Sequence, residues 1–430
     1  SIYNARMNGR YETAVKLLSP GIQVDLIHDC IGKDSKNIIP MYVVRPENSG
    51  TDIPCFFYLH GGGMATLSSA DGVFQAFARL IARQGVCVIM PEFRNSLNGT
   101  KLVPEVAQYP AGLNDCYDAL KYVNENKSKL RIGNNICLGG ESGGGNLSLA
   151  LTLKLKHNNE LHLCNGVYAL CPYIAGHWDQ KKSNEGILGT SHIGKMPSSL
   201  RMAYGYSIKA FREKDPLSWM GFATIDDLRG FPRMVLSMNE ADPFCDEGIN
   251  FYRRAVKAGV NVEGKVLLGT DHANDLHWHL VPEIATTTAR AMADFCANGS
   301  LIDRLPMPSP MVSTLKFLTN EELKLQVETY NKSNKVVRNV NGIVLDARVF
   351  QRYQNMAAVW KEIPRILKSK GGTEKEMLEL VGLMAGKLPN NGKHTRKNKK
   401  KSWNDRVELS KLVGKARENL FNKYDLTSIY

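Results

Sequence analysis

Eight short apolar runs punctuate the first two thirds of the chain: Ile22 to Ile27, Ile38 to Val44, Ile53 to Leu59, Val86 to Met90, Asn135 to Leu138, Leu163 to Leu170, Met234 to Met238 and Val262 to Leu268. Apolar runs of this length, bounded by turn residues, predict buried strands. The segments between the later runs carry apolar residues at helical spacing, over Val73 to Arg83, Leu113 to Asn126, Leu147 to Lys156, Glu247 to Ala258 and Pro282 to Phe295. Strand and helix in alternation predict an α/β fold, with an eight-stranded, mostly parallel sheet and helices on both faces. One interval breaks the rhythm. Residues 173–229 hold few strand signals yet separate two core strands, as an inserted cap would.

Past Leu305 the pattern changes. Leu305-Pro306-Met307-Pro308-Ser309-Pro310 has linker composition. Beyond it, apolar positions recur at helical spacing without a strand signal. Val349, Tyr353, Met356, Trp360 and Ile363 share one face, Met377, Leu380, Val381, Met384 and Leu388 a second, and Leu409, Leu412, Val413, Ala416 and Leu420 a third. The expected division is an α/β domain over 1–305 and a mainly helical extension over 306–430.

Two glycine motifs stand where predicted strands end. Gly140-Glu141-Ser142-Gly143-Gly144 lies between a strand and the buried helix that starts near Leu147. A Gly-x-Ser-x-Gly turn of this kind holds a serine on a tight strand-to-helix corner, where side chains on the flanking glycines would collide with backbone. His60-Gly61-Gly62-Gly63 follows the strand Ile53 to Leu59. Its backbone N–H groups are free to turn toward the oxyanion that forms when an ester carbonyl is attacked. Together they describe an acyl-transfer site.

A serine nucleophile needs a base, and the base needs an acid to orient it. Asp242 follows the strand Met234 to Met238, and His272 follows the next strand, so both fall on loops at carboxyl ends of strands, where open α/β sheets gather their sites. Glu240, Asp246 and Glu247 compete with Asp242. Asp246 and Glu247 read as charges at a helix start, favoured by its dipole. His277 and His279 compete with His272 but lie further from the strand end, and read as packing or surface histidines.

These residues resemble the hormone-sensitive lipase family of α/β-hydrolases. The resemblance runs through His60-Gly61-Gly62-Gly63, Phe93-Arg94, Tyr109 to Leu120, Gly140 to Leu147 and Asp242-Pro243-Phe244-Cys245-Asp246-Glu247-Gly248, and covers most of the first 300 residues. It implies an α/β-hydrolase fold with a cap built from the N-terminal residues and 173–229. It also implies a carboxylesterase whose nucleophile is Ser142, acid Asp242 and base His272, with an oxyanion hole from the N–H groups of Gly62, Gly63 and Gly143. Ala273-Asn274 departs from the glycine and aromatic that many members carry after the base, and Phe244 stands where leucine is usual. The family also contains a plant hormone receptor that lacks the histidine. Two other functions therefore stay open, an acyltransferase with the same triad and a non-catalytic receptor.

Composition adds three points. The chain carries 55 Lys and Arg against 42 Asp and Glu, but residues 306–430 hold 24 against 12, so nearly all the excess lies in the extension. Its run Lys393 to Lys401 suits an anionic partner, and its apolar faces suit self-association; a solvated loop between helices is the plainer reading, and no specific nucleic-acid partner is expected. The nine cysteines are scattered among apolar strands, which suits reduced thiols and a cytoplasmic location. No Cys or His grouping has zinc spacing, and serine chemistry needs no cofactor, so neither metal nor cofactor is expected. The partner expected at the site is a small or medium apolar ester, with Trp178, Tyr204, Tyr206, Phe211, Trp219 and Met220 as candidates to line the acyl pocket or to pack the cap. A chain ended near Leu305 is expected to cleave small esters at a similar rate per folded molecule, with a changed oligomeric mass or weakened hold on an anionic surface. Sizing and ester assays on the truncated chain check this.

Overall fold

The eight strands form at the expected places: β1 (Ile22–Ile27), β2 (Met41–Pro46), β3 (Ile53–Leu59), β4 (Cys87–Pro91), β5 (Ile132–Glu141), β6 (Gly166–Leu170), β7 (Met234–Asn239) and β8 (Val262–Leu267). The computed structural model describes residues 11–33, 36–176, 199–299, 302–308, 337–340 and 343–346. The strands join one sheet in the order β1-β2-β4-β3-β5-β6-β7-β8. Pairing is antiparallel from β1 through β2 to β4 and parallel from there on. Several strand limits differ from the sequence reading, and the starts of three by three residues. β2 begins after Pro40, with Ile38 drawn into an isolated bridge to Ile31; β5 begins three residues early at Ile132; β6 begins late because Leu161–Leu163 close a 3-10 turn.

Side chains alternate across this sheet and feed two cores. Cys55, Phe57 and Leu59 of β3 face one core with helices α3 (Ala111–Glu125), α4 (Gly143–His157) and α6 (Cys245–Lys257). Phe56 and Tyr58 face the other with α1 (residues 11–18), α2 (Gly72–Ala82) and α7 (Pro282–Ala297). The remaining long helix, α5 (Ser199–Arg212), belongs to the inserted segment. All nine cysteines are free and buried, as small apolar groups in these cores. Among the described residues no helix is long and apolar enough to cross a membrane.

The chain divides into two compact units, Ser1–Gly194 with Met202–Phe317, and Lys195–Arg201 with Leu318–Tyr430. In the first, the start of the linker docks: Leu305 N–H donates to Arg83 O at 2.8 Å and Arg83 donates to the Pro306 carbonyl. In the second, β9 (Val337–Val340) and β10 (Ile343–Asp346) form an antiparallel ladder with Ile343 opposite Val340. This corrects the expectation of an extension without strands. Asn341-Gly342 between two β-branched runs is a strong hairpin signal, and it outweighs helical spacing there. The three helical faces and the Lys393 to Lys401 run lie outside the described residues.

The inserted segment carries aromatic residues into the first core. Tyr206, Trp219 and Met220 are fully buried, and Trp219 packs edge-on against both Tyr173 and Tyr206, with ring centroids 4.9 and 5.6 Å apart. Tyr204 and Phe211 are half-buried, and Trp178 lies outside the described residues. Asn146 on α4 fixes the exit of this segment, donating to Ser218 O at 2.8 Å and accepting from Met220 N–H at 3.1 Å.

Between β4 and α3 the chain is held by a buried ion pair. Arg94 Nε and Nη2 donate to Asp115 at 2.8 and 2.7 Å, and Arg94 N–H donates to the same carboxylate at 2.9 Å. Removing one partner strands the other charge in the core. Asp115→Ala is expected to lower unfolding stability by about 3 kcal/mol or more, measured by urea denaturation; a loss no larger than a surface substitution gives would show that the pair is not structural.

Candidate active site

Ser142 occupies the corner between β5 and α4 with φ 56° and ψ −119°, a backbone that costs about 1–3 kcal/mol outside glycine. The corner is forced by the approach of β3. A Cβ on Gly140 would lie 2.1 Å from Leu59 O, and one on Gly144 would lie 1.9 Å from the same oxygen. Neither position tolerates a side chain. Ser142 N–H donates to Leu170 O at 3.0 Å, and its carbonyl accepts from Tyr173 N–H at 2.9 Å, so the end of β6 closes round the turn. The serine side chain stays partly exposed.

The same approach brings the glycine loop to the serine. A Cβ on Gly143 would lie 2.7 Å from the nitrogens of both Gly63 and Met64. Gly63 and Gly143, two of the three expected donors, are thus adjacent, and Met64 joins them. Gly62, at φ 100°, makes the turn itself, its carbonyl accepting from Ala65 and Thr66 N–H at 3.1 Å. Gly61 N–H donates to Glu141 Oε1, and Tyr58 Oη–H donates to Glu141 Oε2. The residue before the nucleophile therefore holds the loop. His60 is buried, stacked 4.3 Å from Phe93, and its Nδ1–H donates to Gly61 O at 2.8 Å; burial lowers its pKa and keeps it neutral.

The loops after β7 and β8 leave the parallel sheet at the same end as the Ser142 turn after β5. His272 Nδ1–H donates to Asp242 Oδ2 at 2.6 Å, and Asp242 Oδ1 accepts from Phe244 N–H at 2.9 Å. Asp242 is fully buried, and His272 is 9% exposed, enough to reach the cleft. The two loops are zipped by Ala241 N–H to Thr270 O at 2.9 Å and Gly269 N–H to Glu240 Oε2 at 2.7 Å. Glu240 thus serves the backbone, not the imidazole. Asp246 is exposed at the start of α6, as expected. Glu247 is a correction: it accepts from Ile174 and Ala175 N–H at 2.7 and 3.2 Å, and burial pushes its carboxyl up to about 8. Helix-start acids look alike in sequence whether they point out or in. His277 bonds Tyr11 Oη at 2.7 Å and His279 packs edge-on against the Tyr11 ring, so both are packing residues.

Several site residues carried no sequence signal. Phe244 sits edge-on to His272 at 5.0 Å and stacks on Tyr173 at 4.7 Å, so its exchange for the usual leucine reaches the imidazole and is more than local packing. Cys171, Asp242 and His272 place a sulfur, an oxygen and a nitrogen within 4.8 Å of one another, the one such grouping among the described residues. Burial, then the charge of Asp242, pushes the Cys171 thiol well above its ordinary range, so it packs there as a neutral group. Asn239, at the end of β7, bonds the loop on both sides of His272.

Burial pushes Glu141 up to about 8, against the pull of its two donors. Folded Glu141 therefore keeps a proton that the unfolded chain releases above the ordinary value of 4.5. The stability it lends is present at low pH and is lost as pH rises through that window. Glu141→Gln is expected to flatten this dependence, so that the urea midpoint falls less from about pH 5 to about pH 8 than in the unsubstituted chain. Equal slopes in the two proteins would contradict the assignment.

A family model described as alpha/beta hydrolase fold matches residues 56–275. Carboxylesterase NlhH of Mycobacterium tuberculosis is 33% identical over 275 residues, 61% of this chain and 79% of that protein. Vegetative-specific protein H5 of Dictyostelium discoideum is 27% identical over 222 residues, 50% of this chain. The chain spans 61% of the length of that protein and 63% of a putative alpha/beta hydrolase, R526, of Acanthamoeba polyphaga mimivirus. Among solved structures, esterase Est22 is 37% identical with a TM-score of 0.63, covering 69% of this chain and 86% of its own, and has also been solved with p-nitrophenol. Brefeldin A esterase, a bacterial homologue of human hormone-sensitive lipase, is 30% identical with a TM-score of 0.59, covering 67% and 86%. By the family match over residues 56–275 and the shared fold, the chain belongs to the α/β hydrolase fold family, among the relatives of hormone-sensitive lipase.

Proposed function

We propose that the protein is a serine hydrolase of small or medium apolar carboxylic esters, with Ser142, His272 and Asp242 as its triad. The observation that carries this reading is the 2.6 Å bond between His272 Nδ1 and buried Asp242, on loops that leave β8 and β7 at the same end of the parallel sheet as Ser142 after β5. That bond fixes the tautomer, leaving Nε2 as the acceptor for the serine proton. Ser142 Oγ attacks the carbonyl carbon while His272 Nε2 takes its proton. The new oxyanion is held by N–H groups of the glycine loop and Gly143, the nitrogens of Gly63 and Met64 lying close against Gly143. His272 then protonates the leaving alcohol, and a water deprotonated by the same nitrogen releases the acid and frees the serine. Ser142 Oγ makes no hydrogen bond among the described residues; contacts of this kind commonly tighten only when substrate binds.

Substrate polarity follows from the surroundings of the serine. Tyr173, Trp219 and Phe244 pack as a buried aromatic cluster joined to the serine turn through Tyr173 N–H on Ser142 O, an apolar surrounding that favours uncharged esters. The p-nitrophenol bound to Est22 supports p-nitrophenyl esters as first probes. Ser142→Ala is expected to lower kcat for p-nitrophenyl acetate by at least about a thousandfold with the fold intact. A fluorophosphonate should add one phosphonyl mass to the unsubstituted protein and none to the variant. Undiminished turnover by Ser142→Ala would end the reading, and labelling without ester turnover would redirect it to acyl transfer onto an acceptor other than water.

A further inference from the structure

Ala273, directly after the histidine, has φ 54° and ψ 23°. This left-handed backbone is disfavoured for alanine, which has neither the freedom of glycine nor the short polar side chain that lets Asn or Asp compensate locally. Two bonds at the histidine are internal to its loop: Asp271 N–H donates to Asn274 Oδ1 at 2.9 Å, and His272 N–H to Asp271 Oδ1 at 2.7 Å. Such bonds move with the loop and cannot fix it to the sheet. Ala241 N–H ties Thr270 O to the acid loop, but only before the histidine. Asn239 reaches past it. From the end of β7, three residues ahead of Asp242 and 2% exposed, its Nδ2 donates to Thr270 Oγ1 at 2.9 Å and its Oδ1 accepts from Ala273 N–H at 3.2 Å. Thr270 Oγ1 in turn donates to Leu267 O at 2.6 Å, which locks the hydroxyl as acceptor for Asn239.

We infer that Asn239 is a positioning residue for the base: one buried amide clamps the loop on both sides of His272 and holds Ala273 in the left-handed backbone that keeps the imidazole on Asp242. The inference rests on the proposed triad and adds to it. Acid and clamp leave the same strand end, so the distance from Asp242 to His272 is set by one rigid element. Without the clamp, Ala273 relaxes toward ordinary backbone and the imidazole leaves its line between acid and serine. A misplacement of about 1 Å is enough to cost about a hundredfold in rate.

The test is a double-mutant cycle read by kinetics. Asn239→Ala is expected to lower kcat for p-nitrophenyl acetate by about tenfold to a hundredfold, with KM changed by less than about twofold, and to slow fluorophosphonate labelling in parallel. In the Ala273→Gly background the left-handed backbone is accessible without help, so the same Asn239→Ala change should cost several-fold less. Undiminished kcat in folded Asn239→Ala, or an equal loss in both backgrounds, would overturn the inference. Thr270→Val removes half the clamp and replaces Asn239→Ala should that variant not fold; a lowered kcat at constant KM supports the clamp, and unchanged kcat overturns it. His272→Ala separates the two levels: if it keeps the activity, the triad reading itself fails, whereas its inactivity beside a fully active Asn239→Ala sinks the clamp alone.

Discussion

The carbonyl of Leu59 at the end of β3 lies so close to the turn after β5 that Gly140 and Gly144 both have to be glycine. That single approach organises the rest of the site. It bends the chain into the corner that carries Ser142, and it delivers the glycine loop that continues β3 to the nitrogen-rich side of Gly143. Parallel pairing of β3 with β5, through Leu59 opposite Gly140, sets the distance. Glu141 then fastens what the strands have brought together, since its carboxyl takes Gly61 on one oxygen and Tyr58 on the other. The serine corner and the glycine loop are thus parts of one packed unit, built from two central strands that have no exposed edge.

Acid and base depend on a second, looser arrangement at the sheet's margin. β8 is the edge strand, and the loop that follows it has no neighbour on its far side within the sheet. What fixes it is polar: Glu240 on Gly269, Ala241 on Thr270, Asp242 on His272 and Asn239 on both Thr270 and Ala273. All four come from consecutive positions, Asn239 at the end of β7 and Glu240, Ala241 and Asp242 in the loop after it. A buried hydrogen bond contributes about 1 kcal/mol net, but an unmade one in such a place costs more, so the set is held as a unit.

The inner strands were legible because most are short apolar runs buried on both faces, and the motif glycines because their neighbours leave no room for a Cβ. Asp242 and His272 were legible from strand ends alone. What escaped has a common physical cause. Glu247 and Asn239 are polar residues whose direction is decided by tertiary packing, and a polar residue turned inward looks the same in sequence as one in water. Phe244 reads as a core aromatic, and its contact with His272 follows from a loop geometry that local pattern does not encode. The β9–β10 ladder differs: its signal, Asn-Gly between two short β-branched runs, is local and lies outside the helical faces that dominate the extension's pattern.

In the proposed mechanism one corner presents the nucleophile and the oxyanion donors together, with His272 held on Asp242 as the base. A crystal structure of the protein after reaction with a small fluorophosphonate tests it most directly. The account predicts phosphorus bonded to Ser142 Oγ, its phosphoryl oxygen about 2.7–3.1 Å from the N–H groups of Gly63 and Gly143, and His272 Nδ1 still on Asp242. Phosphorus on another residue, or a phosphoryl oxygen turned to solvent with the glycine loop unengaged, would contradict it.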